Sequence, residues 1–310
     1  MPLRRLWGLF CIVVATSVLV SSASGRSGSS APTPPLPSLT LASSDFRSGG
    51  AILSQTKTSA GALTLFLRVF KPGAILTGPS LLSVVSLIEL EPDAETARSD
   101  YKELDGLAQS IRGRNTLAKV FTASFVQGFK IGAHGKASLT VRRTVVGQPS
   151  MNSATSLHLP VTLETNRGTY RLALEFSQID RVIAIVYLAA RPNTSVTNSD
   201  ASLARSLSEK HLTSAFTVGS SSPPTITGSA SVGQTLSVDE GSWTGSPSRF
   251  DYTWTRCDAS GSSCVPIDGA TTQTYALTAA DAGSTLRVVV TGANSISSLQ
   301  ATSAATAVVA

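Results

Sequence analysis

Residues 165–176 read TNRGTYRLALEF. Asn166 and Gly168 are turn formers, and the segment Thr165–Gly168 reads as the turn of a hairpin. Beyond it, Tyr170, Leu172, Leu174 and Phe176 alternate with small or polar residues. Successive side chains of a strand point to opposite faces, so these four share one face. That pattern suits an antiparallel strand with one face buried. Ser156–Glu164 is the expected partner before the turn. Arg181–Ala190 is a following strand, closed by Pro192 and Asn193, and Ala137–Val146 is an earlier one.

Toward the N-terminus, a short strand is expected at Ala51–Leu53 and longer ones at Leu63–Phe70 and Leu81–Leu90. Turn residues separate them at Lys71–Gly73 and Gly78–Pro79. Pro92 and Asp93 then form a helix start with Glu95 in the first turn. Ala94, Ala97, Tyr101, Leu104, Ala108 and Ile111 step by three or four, an apolar stripe that predicts a helix packed on the sheet. A second helix is expected over Leu117–Gln127, and a last one from about Ser199 to Thr213, with Leu203, Leu207 and His211 on one face. Runs of strands with segregated helices mean an α+β domain with a largely antiparallel sheet, not alternating βαβ units. Its expected span is 39–218.

The chain starts with a different signature. Arg4 and Arg5 precede fifteen uncharged residues, Leu6 to Val20, and then Ser21, Ser22, Ala23, Ser24 and Gly25. This is the order of a secretory signal peptide, expected over 1–25. A spanning helix needs roughly 20 apolar residues, so no transmembrane segment is expected after cleavage. Cys11, in the middle of the apolar run after Phe10, reads as a small hydrophobe and not as a lipidation site. The Ser-, Gly- and Pro-rich segment 26–38 reads as a linker, as does 219–224. The expected localisation is extracellular, free or at the cell surface.

From 225 to 310 short Thr/Val/Ser-rich segments are broken by Gly and Asn, which predicts a small all-β sandwich. Its strands are expected at Thr225–Gly228, Thr235–Val238, Phe250–Arg256, Val265–Ile267, Thr274–Leu277, Thr285–Gly292 and Ala304–Val309. Cys257 and Cys264 are the cysteines beyond the leader. An even pair in an exported chain suggests a disulfide tying a hairpin, and no His or third Cys lies nearby to support a metal site.

The net charge of +6 is unevenly spread. No Asp or Glu occurs between Asp105 and Glu164, while Arg112, Arg114, Lys119, Lys130, Lys136, Arg142 and Arg143 fall in that interval. They are a candidate surface for an anionic partner, with a solvated basic face as the alternative. A nucleic acid is not expected, because the chain leaves the cytoplasm and no aromatic stacking cluster accompanies the charges. The expected partners are a cell-envelope polymer or another secreted protein.

Motifs for catalysis are missing. His134, His158 and His211 are far apart and have no ligand partner at metal-site spacing, and there is no G-x-S-x-G, H-E-x-x-H or P-loop. Glu89 and Glu91 read as two exposed carboxylates on one strand face. Asn193–Ser195 matches a glycosylation sequon. No catalytic, cofactor-binding or metal-ligating residue is assigned, and no cofactor is expected. The reading is a secreted, non-catalytic binding or surface-associated protein. A secreted enzyme with an unrecognised site, or an accessory subunit of an envelope protein, are the alternatives.

Two resemblances add to this. The segments VGQTLSVDEGSWTGSP and YTWTRCDASGSSCVPIDGATTQTYALTAADAGSTLRVVVTGANS resemble bacterial Ig-like modules of secreted actinobacterial proteins. The resemblance implies Trp243 and Trp254 as core residues and Ala280–Gly283 as a turn. The element order of 39–216, ending in a helix after RVIAIVYLAARPNT, resembles PsbP-like domains such as those of LpqN-type lipoproteins. It implies an α/β/α sandwich and a non-enzymatic binding or accessory role, and transfers no functional residue.

Overall fold

A computed structural model describes residues 34–46, 52–60, 63–70, 81–132, 139–153 and 155–310. The expected leader, most of the first linker, His134 and Lys136 lie outside the described residues. The chain forms two compact units, Pro35–Thr213 and Ser214–Ala310.

The first unit holds an eight-stranded antiparallel sheet. Its strands are β1 (Ile52–Ala60), β2 (Leu63–Phe70), β3 (Leu81–Leu90), β4 (Val141–Val146), β5 (Ser150–Ser153), β6 (Ser156–Thr165), β7 (Gly168–Ile179) and β8 (Val182–Ala190). They lie in the order β1-β2-β3-β8-β7-β6-β4, with β5 also pairing β6. The turn at 165–168 sets the β6–β7 register: Thr165 faces Gly168, and Leu163 faces Tyr170. Gly168 has φ +109°, and a Cβ there would sit 3.0 Å from the side chain of Asn193, whose Oδ1 accepts the Thr169 amide.

Two helices cover one face. In α1 (Ala94–Gln109) the Asp93 side chain accepts the Thr96 amide, and Ala97, Tyr101, Leu104 and Ala108 are buried against the alternating residues of β6, β7 and β8. The stripe stops one residue short of the expected Ile111. Ser110 turns to extended backbone, its hydroxyl accepts the Gly113 amide, and a new helix, α2 (Ile111–Gly132), begins. Ile111 is exposed as a result. The second helix is therefore longer than its expected span, because a cap and not a loss of pattern separates the two.

The other face is covered by α3 (Asn198–Phe216) and by the stretch 35–46. Ala201 and Ala204 of α3, with Leu41 and Phe46, pack on Phe70, Val84, Val186 and Leu188. Nη1 of the buried Arg68 donates to the carbonyls of Pro37 and Leu41 at 3.1 Å each. Pro37 and Ser38, expected in the linker, thus belong to a docked 3₁₀ turn, Leu36–Leu39. The architecture is α+β, a three-layer α/β/α sandwich. Strand β1, expected only over Ala51–Leu53, runs to Ala60 in pairing with β2, since an edge strand needs backbone pairing and few apolar side chains.

The second unit is all-β. Strands β10 (Thr225–Thr227), β11 (Thr235–Asp239) and β15 (Thr274–Ala276) form one sheet. Strands β13 (Arg249–Cys257), β14 (Val265–Pro266), β16 (Thr285–Ala293) and β17 (Ser298–Thr302) form another, in the order β14-β13-β16-β17. Trp254 is fully buried in the core with Leu236, Val238, Leu286, Val288 and Val290, and Trp243 packs on it partly buried. Two expectations are corrected. Gly219–Ser222, expected as linker, is strand β9 and pairs β12 (Ser242–Thr244); a Cβ on Gly219 would lie 2.6 Å from Thr244 Oγ1, so the small residue serves pairing, not flexibility. The last strand is 298–302 and not 304–309. Oδ1 of Asn294 accepts the amides of Ile296 and Ser297 and so turns the chain back early. Residues 303–310 still follow the sheet through bonds such as Thr306 N–H to Leu286 O.

The expected disulfide is present. Cys257 and Cys264 are bonded with Cα atoms 3.9 Å apart, across the β13–β14 hairpin. Beyond β15 the expected turn is a 3₁₀ helix, Ala279–Asp281, whose Asp281 side chain is fully buried. Asp281 Oδ1 accepts from Arg256 Nε and Nη2 at 2.9 and 2.6 Å. Its Oδ2 accepts from the Thr278 amide, the Thr278 hydroxyl and Tyr275. Burial by itself raises the Asp281 pKa, but the Thr278 amide, Arg256, the Thr278 hydroxyl and Tyr275 outweigh it and hold the carboxyl below the ordinary range.

Candidate binding cleft

The α3 face of the sheet carries a polar row across β6 and β7. His158, Pro160 and Thr162 alternate with the core residues of β6, and Arg171, Ala173, Glu175 and Ser177 with those of β7. His158 and Glu175 are directly opposed in the register. Glu175 Oε1 lies 2.5 Å from His158 Nδ1, and its Oε2 accepts from Arg205 Nη1 of α3 at 3.0 Å. One turn on, Glu209 accepts from Ser177 Oγ at 3.2 Å and lies 3.9 Å from Arg205 Nε. The Glu175 side chain is 0% exposed, against 21% for His158 and 16% for Arg205. A carboxylate this deep is stable only when its oxygens are paired, and here each has a donor.

This geometry fixes the histidine. An ionised carboxylate only accepts, so the proton facing Glu175 is on Nδ1. Among the described residues His158 makes no other hydrogen bond. His158 lines a cleft of about 200 Å³ together with Pro160, Thr162, Arg171, Ala173 and the residues from Ser195 to Asn198 and Ala201 at the start of α3. The far end of the chain of charges meets a second cleft of about 360 Å³, lined by Ser153, Ser156, Ser177, Arg205 and Glu209 among others. A His–Glu–Arg relay thus connects two openings within one unit.

None of these residues was singled out by sequence motifs. The signal was nevertheless present. Counting back residue for residue from the 165–168 turn brings His158 opposite Glu175. The basic residues that were singled out lie elsewhere. Arg112 and Lys119 are exposed on α2, and Lys130 is on the same helix. Arg114 is spent on α1, where its Nη1 donates to the carbonyls of Ala108 and Gln109. Arg142 and Arg143 are exposed on β4, and Arg143 lies 3.9 Å from Glu164. Lys136 lies outside the described residues. Glu89 and Glu91, expected to be exposed, are both buried: Glu89 lies on the central strand β3, and Glu91 follows it, its amide donating to the Arg181 carbonyl. His211 Nε2 lies 2.8 Å from Asp45 and joins α3 to the stretch 35–46. Among the described residues no group of three or more His, Cys, Asp or Glu is placed to hold a metal ion, and no helix is long and apolar enough to cross a membrane.

Residues 222–295 match the family model of the AIR9 A9 domain, an Ig-like domain. The carboxy-terminal module is Ig-like. No curated protein matches the chain. Two of the similar solved structures are described by their likeness to this chain. The extracellular domain of PknH from Mycobacterium tuberculosis is 12% identical, over 62% of this chain and 85% of its own, with a TM-score of 0.28. The Ran-binding protein Mog1p of Saccharomyces cerevisiae is 7% identical, over 52% of this chain and 94% of its own, with a TM-score of 0.20. At these scores neither likeness bears on function.

Proposed function

We propose that the protein is an exported, surface-associated binding protein whose first unit holds its partner in the cleft beside His158. The Ig-like module, of the kind appended to secreted actinobacterial proteins, serves as spacer or adhesion unit. The observation that carries this reading is the buried Glu175, which holds the ring of His158, a residue that lines the cleft. The order of charge, apolar run and small residues over 1–25 supports export, and the Cys257–Cys264 bond is in keeping with an oxidising compartment. The element order that resembles PsbP-like domains supports an accessory rather than catalytic role.

The exposed Arg112, Lys119, Arg142 and Arg143 favour an anionic envelope polymer as the larger partner. The test is retention of the mature chain on purified cell envelope and on supernatant proteins, with wild type beside His158→Gln and Arg171→Gln. Reduced capture by either variant supports the cleft as the partner site; unchanged capture rejects it. Retention that falls steeply between low and high salt supports the basic surface, and salt-independent retention rejects it.

A further inference from the structure

We infer that the cleft beside His158 takes a small monocarboxylate with a short apolar body. The inference rests on the binding reading above and names the chemistry of that site.

The charge of the cleft comes first. The charged or titratable side chains lining it are His158 and Arg171, and no carboxylate lines it. The nearby acids are spoken for. Glu175 lies behind His158 and is shared with Arg205, Glu209 pairs with Ser177 beside Arg205, and Asp200 accepts the hydroxyl of Thr197. Arg171 uses Nη1 on the Thr194 carbonyl, which pins the guanidinium at the cleft while leaving other N–H donors unspent. Thr162, Ser195 and Asn198 add neutral donors.

The floor comes second. Pro160, Ala173, Val196 and Ala201 are apolar, and Ala173 and Ala201 belong to the buried core. A compact polyanion would have to give up its hydration against this floor with one arginine and one histidine to offset the cost. A monocarboxylate loses less, and its alkyl part gains by covering the partly exposed Pro160 and Val196. The carboxylate geometry also matches the planar guanidinium fork.

Glu175 on β7, with Arg205 and Glu209 behind it on α3, holds the His158 ring from the side away from the cleft lining, and Arg171 is the permanent cation of that lining.

The test is an amide chemical-shift titration of the mature chain with sodium butyrate, with butyramide as the neutral isostere and inorganic phosphate as the polyanion. The expected result is saturable shifts at Ala173, Val196 and Ala201. Butyrate binds about tenfold or more tightly than butyramide, the worth of one charge-assisted hydrogen bond. Arg171→Gln, on an exposed residue, lowers butyrate affinity about tenfold. Equal binding of butyrate and butyramide, tighter binding of phosphate, or no saturation by a protein with a folded spectrum overturns the inference. Butyrate binding as expected together with envelope capture indifferent to both variants leaves the inference standing and overturns the cleft as partner site. No butyrate binding together with variant-sensitive capture does the reverse.

Discussion

Both units of the chain have a fully buried carboxylate held by an arginine, Glu175 in the first and Asp281 in the second, and the two are built differently. Asp281 sits in a 3₁₀ turn, and its partners Arg256, Thr278 and Tyr275 all belong to strands or turns of the same small sandwich. Its network closes on itself. Glu175 sits in the middle of a strand, and its partners His158 and Arg205 each line an opening. Its network leads outward. A buried ion pair alone is weak evidence for stability or for function. Where its donors end is what separates a staple from a site.

The largest effect should come from the closed network. Asp281→Ala leaves the Thr278 amide and hydroxyl and the Tyr275 hydroxyl, as well as Arg256, without their acceptor and should cost the Ig-like unit about 3–5 kcal/mol. Trp243 and Trp254 lie in that unit, so their fluorescence in urea reads it in the whole mature chain. The pH dependence has a definite sign. The Asp281 pKa is held down in the folded state, so its contribution is present above the ordinary Asp value and is lost as pH falls below about 4. Asp281→Asn should flatten that acid limb. Reduction of Cys257–Cys264 comes next, at about 2–3 kcal/mol for so small a loop, read by the same fluorescence. A free-thiol count on the unreduced protein should find none. Glu175→Gln should cost about 2 kcal/mol, measured by far-UV circular dichroism, because the amide still fills the space and still accepts from one partner. A loss as large as that of Asp281→Ala would make Glu175 a staple too, and the contrast between the units would fail. Last, Arg143→Gln, which breaks an exposed pair 3.9 Å long, should shift stability by no more than about 0.5 kcal/mol.

Legibility followed the range of the interactions. The Tyr170–Phe176 alternation, the 165–168 turn, the Ala97–Ala108 stripe and the cysteine pair are local patterns, and each reappears in the structure. The break at Ser110 hid behind a stripe that runs on through Ile111, since a cap costs one residue and leaves the periodicity intact. Strand β9 hid because its glycine and serines carry no apolar signal, only backbone groups to pair. Half of the candidate site was readable. His158 and Glu175 follow from the hairpin register, but Arg205 arrives from a helix thirty residues beyond Glu175, and only the three-layer packing brings it in. The same holds for Glu89, whose burial depends on β3 being central in the sheet.

The hairpin around Gly168 also has an evolutionary consequence. One turn sets the alignment of the apolar core on one face and of the His158–Glu175 pair on the other. A slip of one residue would exchange the two faces and lose both together. Descendants of this chain are therefore free to change what the cleft accepts by replacing side chains at 158, 162 or 171. They are not free to do so by lengthening the loop. In a comparison of relatives, variation in the hairpin should appear as substitutions of side chains at constant length.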